Sequence, residues 1–420
     1  MTRILALGGR ARIIRKAAEL GFEIVHIQKP SGFDPATVPY CDQVLLLDYQ
    51  DIPLITAVVK ALHDRAPLDR IVTQAEAGQL VAALLTDVLG LPGSGREVID
   101  RMHDKLALRR LLNGIGLGPV AAEFCTSLES LRAFTAEHGA AVVKPLMGNG
   151  SLGVRLIRST DEVDAAWHWL QALGIDTFLV EQLLDGPEFS VETFSVGGVH
   201  EVVAITGKVT GDGVVELGHV IPAPIPEAEA AQIREFVADV LSAIGLVDGP
   251  AHTEVILTSE GPRVVESHAR RGGDSIPELV EIVRGVDLEK LAYEVAGGGL
   301  SLPLDTSTGD VAAAIHFIVA EPGTVEEVSG VEEAEAVPGV IRVDVSVSPG
   351  DVVHELRWSD DRCGSVMVTD VSPEAALEKA RKVARSITVR TNRVPEQETA
   401  TIRDLLAQVD EVLNPFEREV

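Results

Sequence analysis

Cysteine and aromatic residues are scarce in this chain. Among its 420 residues there are three cysteines, and Phe, Trp and Tyr together make up 4%. Cys41, Cys125 and Cys363 lie far apart without a CxxC pair, which excludes a disulfide framework and a cysteine zinc site and favours a reducing cytoplasm. The cores must therefore be built from aliphatic residues. At about 100–200 residues per domain, a chain of this length forms about two to four domains, and a hydrophobic content of 46% allows each to bury a core.

Basic residues are also in short supply. Lys plus Arg number 36 against 64 Asp plus Glu, so the formal net charge is −28. Such a chain repels nucleic acid and anionic membrane surfaces, and we expect neither as a partner. No apolar run approaches a membrane span, and the apolar start MTRILALGG is too short for a signal peptide. Clustered cations are informative against this acidic background.

The first hundred residues alternate short apolar runs with amphipathic stretches. This alternation predicts a parallel sheet with helical crossovers. The predicted strands span residues 4–7, 23–27, 44–47 and 70–72, and the predicted helices span about 10–20, 52–63 and 76–89. Gly8-Gly9 is interpreted as a tight strand-to-helix turn, because the GxGxxG pattern of dinucleotide-binding proteins is missing.

The rest of the chain divides by composition into three parts. A mixed helix and strand region precedes a strand-rich one, and the segment PLDTSTGD at 303–310 has the composition of a linker. An apolar stripe through Ile233, Val237, Val240 and Ile244 predicts a core helix. The last part has few functional-looking residues, and we expect it to be a lid or an interface. The predicted regions are 1–100, 101–185, 186–305 and 306–420.

Two carboxylates are predicted to face each other across a hairpin. The turn signal Ser259-Glu260-Gly261 centres a hairpin that pairs Glu254 with Glu266 and Ile256 with Val264 on one face. Directly opposed like charges are destabilising. A bound divalent cation would offset the repulsion, and oxygen-only ligands favour Mg²⁺ or Mn²⁺. A register shifted by one residue, or a neutralising arginine nearby, is the alternative.

Two glycine-rich segments have the composition of phosphate-binding loops. In VVKPLMGNGSLGV a strand delivers Lys144, and Gly150, Ser151 and Gly153 follow. Backbone N–H groups of such a loop can hold a triphosphate, although no Walker A sequence is present. In HARRGGD, which follows Glu266, Arg270 is a fixed donor suited to phosphate oxygens. Taken alone, the segment after Lys144 is equally typical of a glycine-rich hairpin without a ligand, and HARRGGD is more typical of a surface loop.

Two further segments combine acidic residues with strands. In EQLLDGPEFSVE, Glu181 and Glu188 flank a Gly-Pro turn. A chain that crosses between two lobes there could offer its backbone to adenine and a carboxylate to ribose. A solvated loop is the other interpretation. In ELGHV, His219 stands three residues after Glu216 at the end of a predicted strand. A lone histidine in a strand is usually structural.

Taken in this order, the motifs resemble those of the ATP-grasp superfamily of ligases. The resemblance covers residues 1–300 and implies a multidomain α/β and α+β protein. It implies an N-terminal Rossmann-like parallel-sheet domain, an ATP-grasp fold and a C-terminal α+β element. Arg270 matches the arginine that contacts the transferred phosphate. The nucleotide-binding residues that the resemblance implies are Lys105, Lys144, Gly150, Ser151, Gly153, Glu181, Gln182, Leu184 and Glu188.

The metal site implied by the resemblance departs from the family at one position. Glu254 and Glu266 match the two metal carboxylates, but His268 stands where the family has asparagine. We therefore expect Glu254, Glu266 and His268 as the candidate metal ligands. The segment ELGHVIPAP and the C-terminal region are similar to the L-amino-acid ligase branch. There the residues that match Glu216 and His219 belong to the amino-acid site.

The resemblance implies an ATP-dependent carboxylate–amine ligase. ATP and Mg²⁺ (or Mn²⁺) would convert a carboxylate into an acyl phosphate, and an amine would then give an amide, in this branch a dipeptide. The expected partners are small carboxylate and amine substrates, and the family expectation is a cytoplasmic homodimer. The alternatives are a ligase or carboxylase with a non-amino-acid acceptor, such as a purine-pathway ribosylamine, and a nucleotide-binding protein without turnover.

Overall fold

The N-terminal part is a parallel sheet between helices, as predicted. A computed structural model describes residues 1–146, 150, 152–211, 215–306 and 311–392. The first sheet has the order β3-β2-β1-β4, with every neighbouring pair parallel. Its strands are β1 Arg3–Leu7, β2 Glu23–Gln28, β3 Gln43–Leu46 and β4 Arg70–Thr73. Its helices are α1 Ala11–Glu19, α2 Ile52–Arg65 and α3 Gln79–Leu89. Gly8 and Gly9 both have positive φ, at 66° and 103°, which confirms the tight turn.

A second, antiparallel sheet with the order β5-β8-β6-β7 follows. It packs through an aliphatic core that includes Leu131, Val143 and Leu170. The elements of this region are α4 Arg96–His103, α5 Lys105–Ile115, β5 Ala122–Cys125, α6 Leu128–His138, β6 Ala141–Lys144, β7 Arg155–Ile157, α7 Val163–Ala172 and β8 Phe178–Gln182.

The largest sheet has eight antiparallel strands in the order β13-β12-β9-β10-β11-β14-β18-β16. Its first half contains β9 Glu188–Val196, β10 Val199–Thr210, β11 Glu216–Ile221, α8 Glu227–Ile244, β12 Gly249–Thr258, β13 Gly261–His268, α9 Ile276–Arg284 and α10 Leu288–Glu294. The predicted stripe of α8 is buried with Val255 and Val264 of the hairpin. This contact confirms that α8 is a core helix.

The C-terminal part continues the same sheet. Strand β14 pairs with β11, so the sheet crosses the region boundary predicted at 305–306. The elements here are β14 Ala312–Ile318, β15 Gly323–Ser329, α11 Val331–Glu335, β16 Val340–Val345, β17 Val352–Val353, β18 Gly364–Asp370, α12 Pro373–Ser386 and β19 Thr388–Asn392. Strands β17, β15 and β19 form a separate small sheet. Among the described helices, none has the length and apolarity that crossing a bilayer requires.

Candidate active site

A cavity of about 850 Å³ is lined by residues of the second sheet, the eight-stranded sheet and the C-terminal part. Most of the predicted site residues lie on its wall: Lys105, Lys144, Gly150, Glu181, Gln182, Leu184, Glu188, Glu216, His219, Glu254, Glu266 and Arg270. Gly153 and His268 are not part of this wall. Ser151 lies outside the described residues. The fold therefore brings together residues that are up to 165 positions apart in sequence (105 to 270).

Lys105 is placed by a helix cap. The Asp104 carboxylate accepts the backbone N–H groups of Leu106 at 2.8 Å and Ala107 at 3.0 Å, and this cap begins α5 at Lys105. The Lys105 Nζ lies 3.2 Å from Oε2 of Glu266. A cation from the second region thus stands beside a predicted metal carboxylate of the large sheet.

Lys144 is held by a buried ion-pair cluster that was not predicted. The Glu181 carboxylate accepts Lys144 Nζ at 2.8 Å and Arg109 Nε at 2.7 Å, and Glu181 is 3% exposed. Burial opposes ionisation, but the two cations lower the pKa of Glu181 below its ordinary value. Both oxygens of the Glu181 side chain are therefore engaged, one with Lys144 and one with Arg109. Arg109 stands one helical turn after Lys105, a spacing that places both on one face.

The two predicted metal carboxylates are directly opposite each other. Glu254 of β12 pairs with Glu266 of β13, as the predicted register requires. Burial opposes ionisation of Glu254, but Lys208 lowers the pKa of Glu254 to about 2. Burial likewise opposes ionisation of Glu266, and Lys105 and His268 bring its pKa well below the ordinary value. Both groups are therefore carboxylates at neutral pH.

The hairpin register changes immediately after this pair. Ile256 faces Arg263, so the predicted pairing of Ile256 with Val264 is wrong. A β-bulge adds Val265 to β13 as an extra residue, and Val265 lies on the cavity wall. Bulges of this kind re-aim side chains next to functional sites.

Lys208 lies among three carboxylates and was missed by sequence reasoning. Its Nζ is 2.7 Å from Glu188, 3.1 Å from Glu216 and 2.7 Å from Glu254, and its side chain is 1% exposed. Burial disfavours the ammonium, but the three carboxylates raise the pKa of Lys208 well above its ordinary value. One oxygen of each carboxylate lies within 4.8 Å of the others. An oxygen-only set this close fits a hard divalent cation such as Mg²⁺ or Mn²⁺.

His268 packs against Glu266, one of the two predicted metal carboxylates. Its ring nitrogens lie 3.1 Å from Oε1 of Glu266 and 3.6 Å from Oε1 of Glu76, and the residue is 5% exposed. Neither Glu76 nor the His103 ring beside it was among the predicted residues. In this position the His268 ring lies beside Glu266, and its assignment as a metal ligand stays a prediction.

A second histidine supports Glu254 from the other side. His252 Nδ1 lies 2.6 Å from Oε1 of the fully buried Glu192, and its Nε2 lies 3.4 Å from Oε1 of Glu254. Burial lowers the pKa of His252, but Glu192 and Glu254 raise it overall to about 10. The Gly272 N–H donates to Glu192 at 3.2 Å. Gly272, directly after Arg271, thus permits close packing against this histidine–carboxylate pair.

The two consecutive arginines point to different partners. Arg270 lies on the cavity wall, and its Nε donates to Glu76. Burial, followed by the neighbouring Arg271, lowers the pKa of Arg270 to about 10, so it remains a cation at neutral pH. Arg271 Nε lies 3.0 Å from the buried Glu289. Arg270 is therefore the member of the pair that faces the cavity.

His219 belongs to a network with two unpredicted residues. Its Nε2 lies 3.2 Å from Oδ2 of Asp274, which also accepts two hydrogen bonds from the Arg362 guanidinium at 2.7 and 2.8 Å. Asp274 and Ser275 have φ of 52° and 59°. Such conformations are rare in non-glycine residues and cluster at functional sites. Asp274 could be suspected from the motif HARRGGD, whereas Arg362 follows no motif.

The C-terminal part contributes to the cavity. Trp358, Ser359 and Asp360 lie on the wall, and the Ser359 N–H donates to the Gly150 carbonyl oxygen at 3.3 Å. The last part of the chain therefore contacts the glycine-rich segment predicted to cover phosphates. This contact supports the expectation that it is a lid or an interface.

Three family models match different parts of the chain. A model described as an ATP-grasp N-terminal domain matches residues 14–93, and one described as an ATP-grasp domain matches residues 138–278. A model described as L-amino acid ligase C-terminal domain 2 matches residues 316–392. The matches follow one another along the chain, and the ATP-grasp match spans parts of two of the four predicted regions, 101–185 and 186–305.

The individual relatives have low sequence identity to this chain, but the matches cover most of its length. An uncharacterized protein, y4rH, of Sinorhizobium fredii is 29% identical over 369 residues, which cover 84% of this chain and 76% of the relative. An L-arginine-specific L-amino acid ligase of Bacillus subtilis is 25% identical over 352 residues, covering 78% and 82%. The crystal structure of an L-amino acid ligase from Bacillus licheniformis has a TM-score of 0.77 at 22% identity, covering 94% and 99%.

Proposed function

Because this chain is an ATP-grasp enzyme, a ligase that forms carbon–nitrogen bonds, we propose that it joins two amino acids into a dipeptide through an acyl phosphate. The products would be ADP, phosphate and the peptide. The observation that carries this proposal is the convergence of Lys105, Lys144, Glu254, Glu266 and Arg270 on one cavity. These are the cations and carboxylates that phosphoryl transfer to a substrate carboxylate requires.

The nucleotide would lie between the second sheet and the large sheet. Lys144 and Lys105 face the cavity as cations for phosphate oxygens, and the backbone of the hinge at 181–188 faces adenine. Glu254 and Glu266 would hold Mg²⁺, with Glu188 and Glu216 close by. Bound there, the metal supplies charge neutralisation for the β- and γ-phosphates.

The reaction would proceed in two displacements. The carboxylate oxygen of the first substrate attacks the γ-phosphorus, the bond to the β–γ bridging oxygen breaks, and ADP leaves. Arg270 stabilises the negative charge on the transferring phosphoryl group. The amine of the second substrate then attacks the acyl carbon, and phosphate leaves. Gly150 and the adjoining Trp358–Asp360 segment would exclude water, which otherwise hydrolyses the acyl phosphate.

The amino-acid specificity rests on the C-terminal part and on the wall around His219. The C-terminal family model and the Bacillus relatives share the L-amino acid ligase name. Arg270 and the acidic Asp274 and Asp360 line the same cavity. A cation beside carboxylates is complementary to the carboxylate and ammonium groups of an amino acid. Glu216 is engaged by Lys208, so its proposed contact with an ammonium group would require an exchange of partners.

The proposal is tested with purified protein, ATP and Mg²⁺, with a panel of amino acids supplied singly and in pairs and, in parallel assays, with a ribosylamine or bicarbonate. ADP and phosphate are measured together with product masses. We expect both to appear with particular pairs only, with a product mass equal to the two substrates less water. Turnover only with a ribosylamine or bicarbonate would redirect the assignment to those acceptors. Nucleotide binding without any turnover would support the sensor alternative.

A further inference from the structure

We propose that Arg362, from the C-terminal part of the chain, is a positioning residue for amide formation: it holds Asp274 so that Asp274 orients His219 as the base that deprotonates the amine. This inference rests on the proposed function and concerns only its second step. It gives the C-terminal part a chemical role in addition to closing the cavity.

The geometry of the relay is specific. Arg362 Nη2 donates to Oδ1 of Asp274 at 2.7 Å, and Nη1 donates to Oδ2 at 2.8 Å, so both carboxylate oxygens are fixed. The same Oδ2 lies 3.2 Å from Nε2 of His219. A bidentate pair of this kind fixes orientation as well as charge. The plane of the Asp274 carboxylate, and through it the His219 ring, is therefore set by Arg362.

Arg362 is itself held rigidly. Its guanidinium stacks over the ring of Phe317, 3.6 Å from the ring centroid, and its Nε donates to the carbonyl oxygen of Ser359 at 2.6 Å. The Phe317 ring also packs edge-on against the His219 ring at 5.8 Å between centroids. Arg362 is 8% exposed and His219 is 2% exposed at the side chain. The three groups thus form one buried unit that ends at the cavity.

Asp274 is kept as a carboxylate by this arrangement. Burial opposes its ionisation, but the hydrogen bonds from His219 and Arg362 bring the pKa of Asp274 well below its ordinary value. The other charged groups that face Asp274 are Arg270 and Asp360. A carboxylate that accepts from Nε2–H fixes the tautomer in which Nδ1 carries the lone pair. Nδ1 of His219 is buried and has no hydrogen-bond partner among the described residues.

In amide formation every bond that forms is matched by a bond that breaks. Nδ1 of His219 accepts one proton from the substrate ammonium group, and the resulting neutral amine forms the new C–N bond at the acyl carbon. The acyl C–O bond to phosphate breaks, and the leaving phosphate takes the second amine proton as HPO₄²⁻. The imidazolium at His219, stabilised by Asp274, returns its proton to solvent. General base catalysis of this kind contributes about 10²- to 10⁴-fold.

Trapping with hydroxylamine distinguishes amide formation from the earlier formation of the acyl phosphate. Hydroxylamine is already unprotonated near neutral pH, so it converts an acyl phosphate into a hydroxamate without needing a base. With a carboxylate substrate that the enzyme uses, we expect Arg362→Gln to lower kcat for amide formation about 10- to 100-fold. Hydroxamate formation and the KM for ATP should be unchanged. Arg362→Lys, which keeps the charge but loses the bidentate geometry, should recover part of the rate.

Arg342→Gln is the matched control for docking of the C-terminal part. Arg342 donates to Oγ of Ser275 at 2.8 Å, one residue from Asp274, but does not contact the relay in the described structure. We expect Arg342→Gln to retain the ratio of amide to hydroxamate. Asp274→Asn is nearly isosteric and weakens the link between Arg362 and His219 at its centre. It should reproduce the loss of kcat for amide formation expected for Arg362→Gln.

The outcomes are distinguishable. Parallel loss of amide and hydroxamate in Arg362→Gln and Asp274→Asn would overturn the relay, as would full retention of both. The same change of ratio in Arg342→Gln would also overturn it, because docking alone would then explain the effect. Absence of hydroxamate from wild-type enzyme with every carboxylate tested would overturn the acyl phosphate itself, and the relay with it.

Discussion

Arg109 and Glu181 form an ion pair in which each side chain is 4% exposed, with Arg109 Nε 2.7 Å from Oε1. The second carboxylate oxygen accepts from Lys144 Nζ at 2.8 Å. Arg109 also donates to the carbonyl oxygen of Val264, in the strand that carries Glu266. This pair therefore fixes a predicted nucleotide lysine and links α5, which begins at Lys105, to the hairpin of Glu254 and Glu266.

Removal of the arginine from this pair should destabilise the fold. Arg109→Leu leaves one oxygen of the buried Glu181 carboxylate without its partner while Lys144 still pairs with the other, and we expect a loss of about 1–3 kcal/mol in the free energy of unfolding. Arg110→Leu, at the exposed neighbouring position, should change it by less than about 0.5 kcal/mol. Urea denaturation followed by circular dichroism measures both. Equal effects of the two variants would contradict the role given to the pair.

Glu181 is expected to make an acid-sensitive contribution to the free energy of unfolding. The pKa of Glu181 is lower in the folded protein than its ordinary value of 4.5. Its contribution is therefore complete above pH 4.5 and is lost as pH falls through the folded pKa. The difference in unfolding free energy between wild type and Glu181→Gln should shrink on acidification below 4.5. Glu123→Gln, an exposed change on the adjacent strand β5, is the control and should change the free energy of unfolding by less than about 0.5 kcal/mol.

Glu266 is the carboxylate whose loss should stop turnover. Glu266→Gln removes one of the two facing negative charges on the hairpin, and we expect ADP formation to fall to background at saturating Mg²⁺. The thermal unfolding temperature should show that the fold is intact. Glu260→Gln, in the turn of the same hairpin and 83% exposed at its side chain, should leave activity unchanged. Activity retained by Glu266→Gln would remove Glu266 from the metal site.

The two glycines after Arg271 should respond differently to a methyl group. A Cβ at Gly272 would lie 2.9 Å from Nδ1 of His252 and 3.2 Å from both Glu192 oxygens. Gly272→Ala should therefore cost about 1–3 kcal/mol through overpacking. A Cβ at Gly273 would meet no atom within 4 Å, so Gly273→Ala should change stability by less than about 0.5 kcal/mol. The reverse order in urea denaturation would contradict the packing described here.

Local patterns in the sequence predicted the helices and strands of the N-terminal part and the pairing of Glu254 with Glu266. A turn signal and strand alternation were sufficient to pair Glu254 with Glu266. The bulge at Val265 was not predictable, because a valine inserted in a valine-rich strand has no distinct signature. The linker composition at 303–310 indicated a boundary between two regions of the chain. It did not show that β14 would continue the sheet of β11, since hydrogen bonding between strands is not a property of local composition.

The unpredicted site residues are those whose partners lie far away in sequence. Arg362 and Asp274 are 88 positions apart, and neither belongs to a motif that names the other. Lys208 is a single lysine in a long strand, and its meaning comes from Glu188, Glu216 and Glu254 on three different strands. Such residues become visible only when the topology is known. Ser151, which the glycine motif singled out, lies outside the described residues and stays a prediction.

Oxygen-isotope transfer tests the central claim most directly. An amino-acid substrate labelled with ¹⁸O in its carboxylate is incubated with ATP, Mg²⁺, the enzyme and the amine partner, and the released phosphate is analysed by mass spectrometry. If the carboxylate attacks the γ-phosphorus, each released phosphate carries one ¹⁸O atom, and ADP is the nucleotide product. Unlabelled phosphate, or ¹⁸O in AMP with release of pyrophosphate, would contradict the acyl phosphate mechanism.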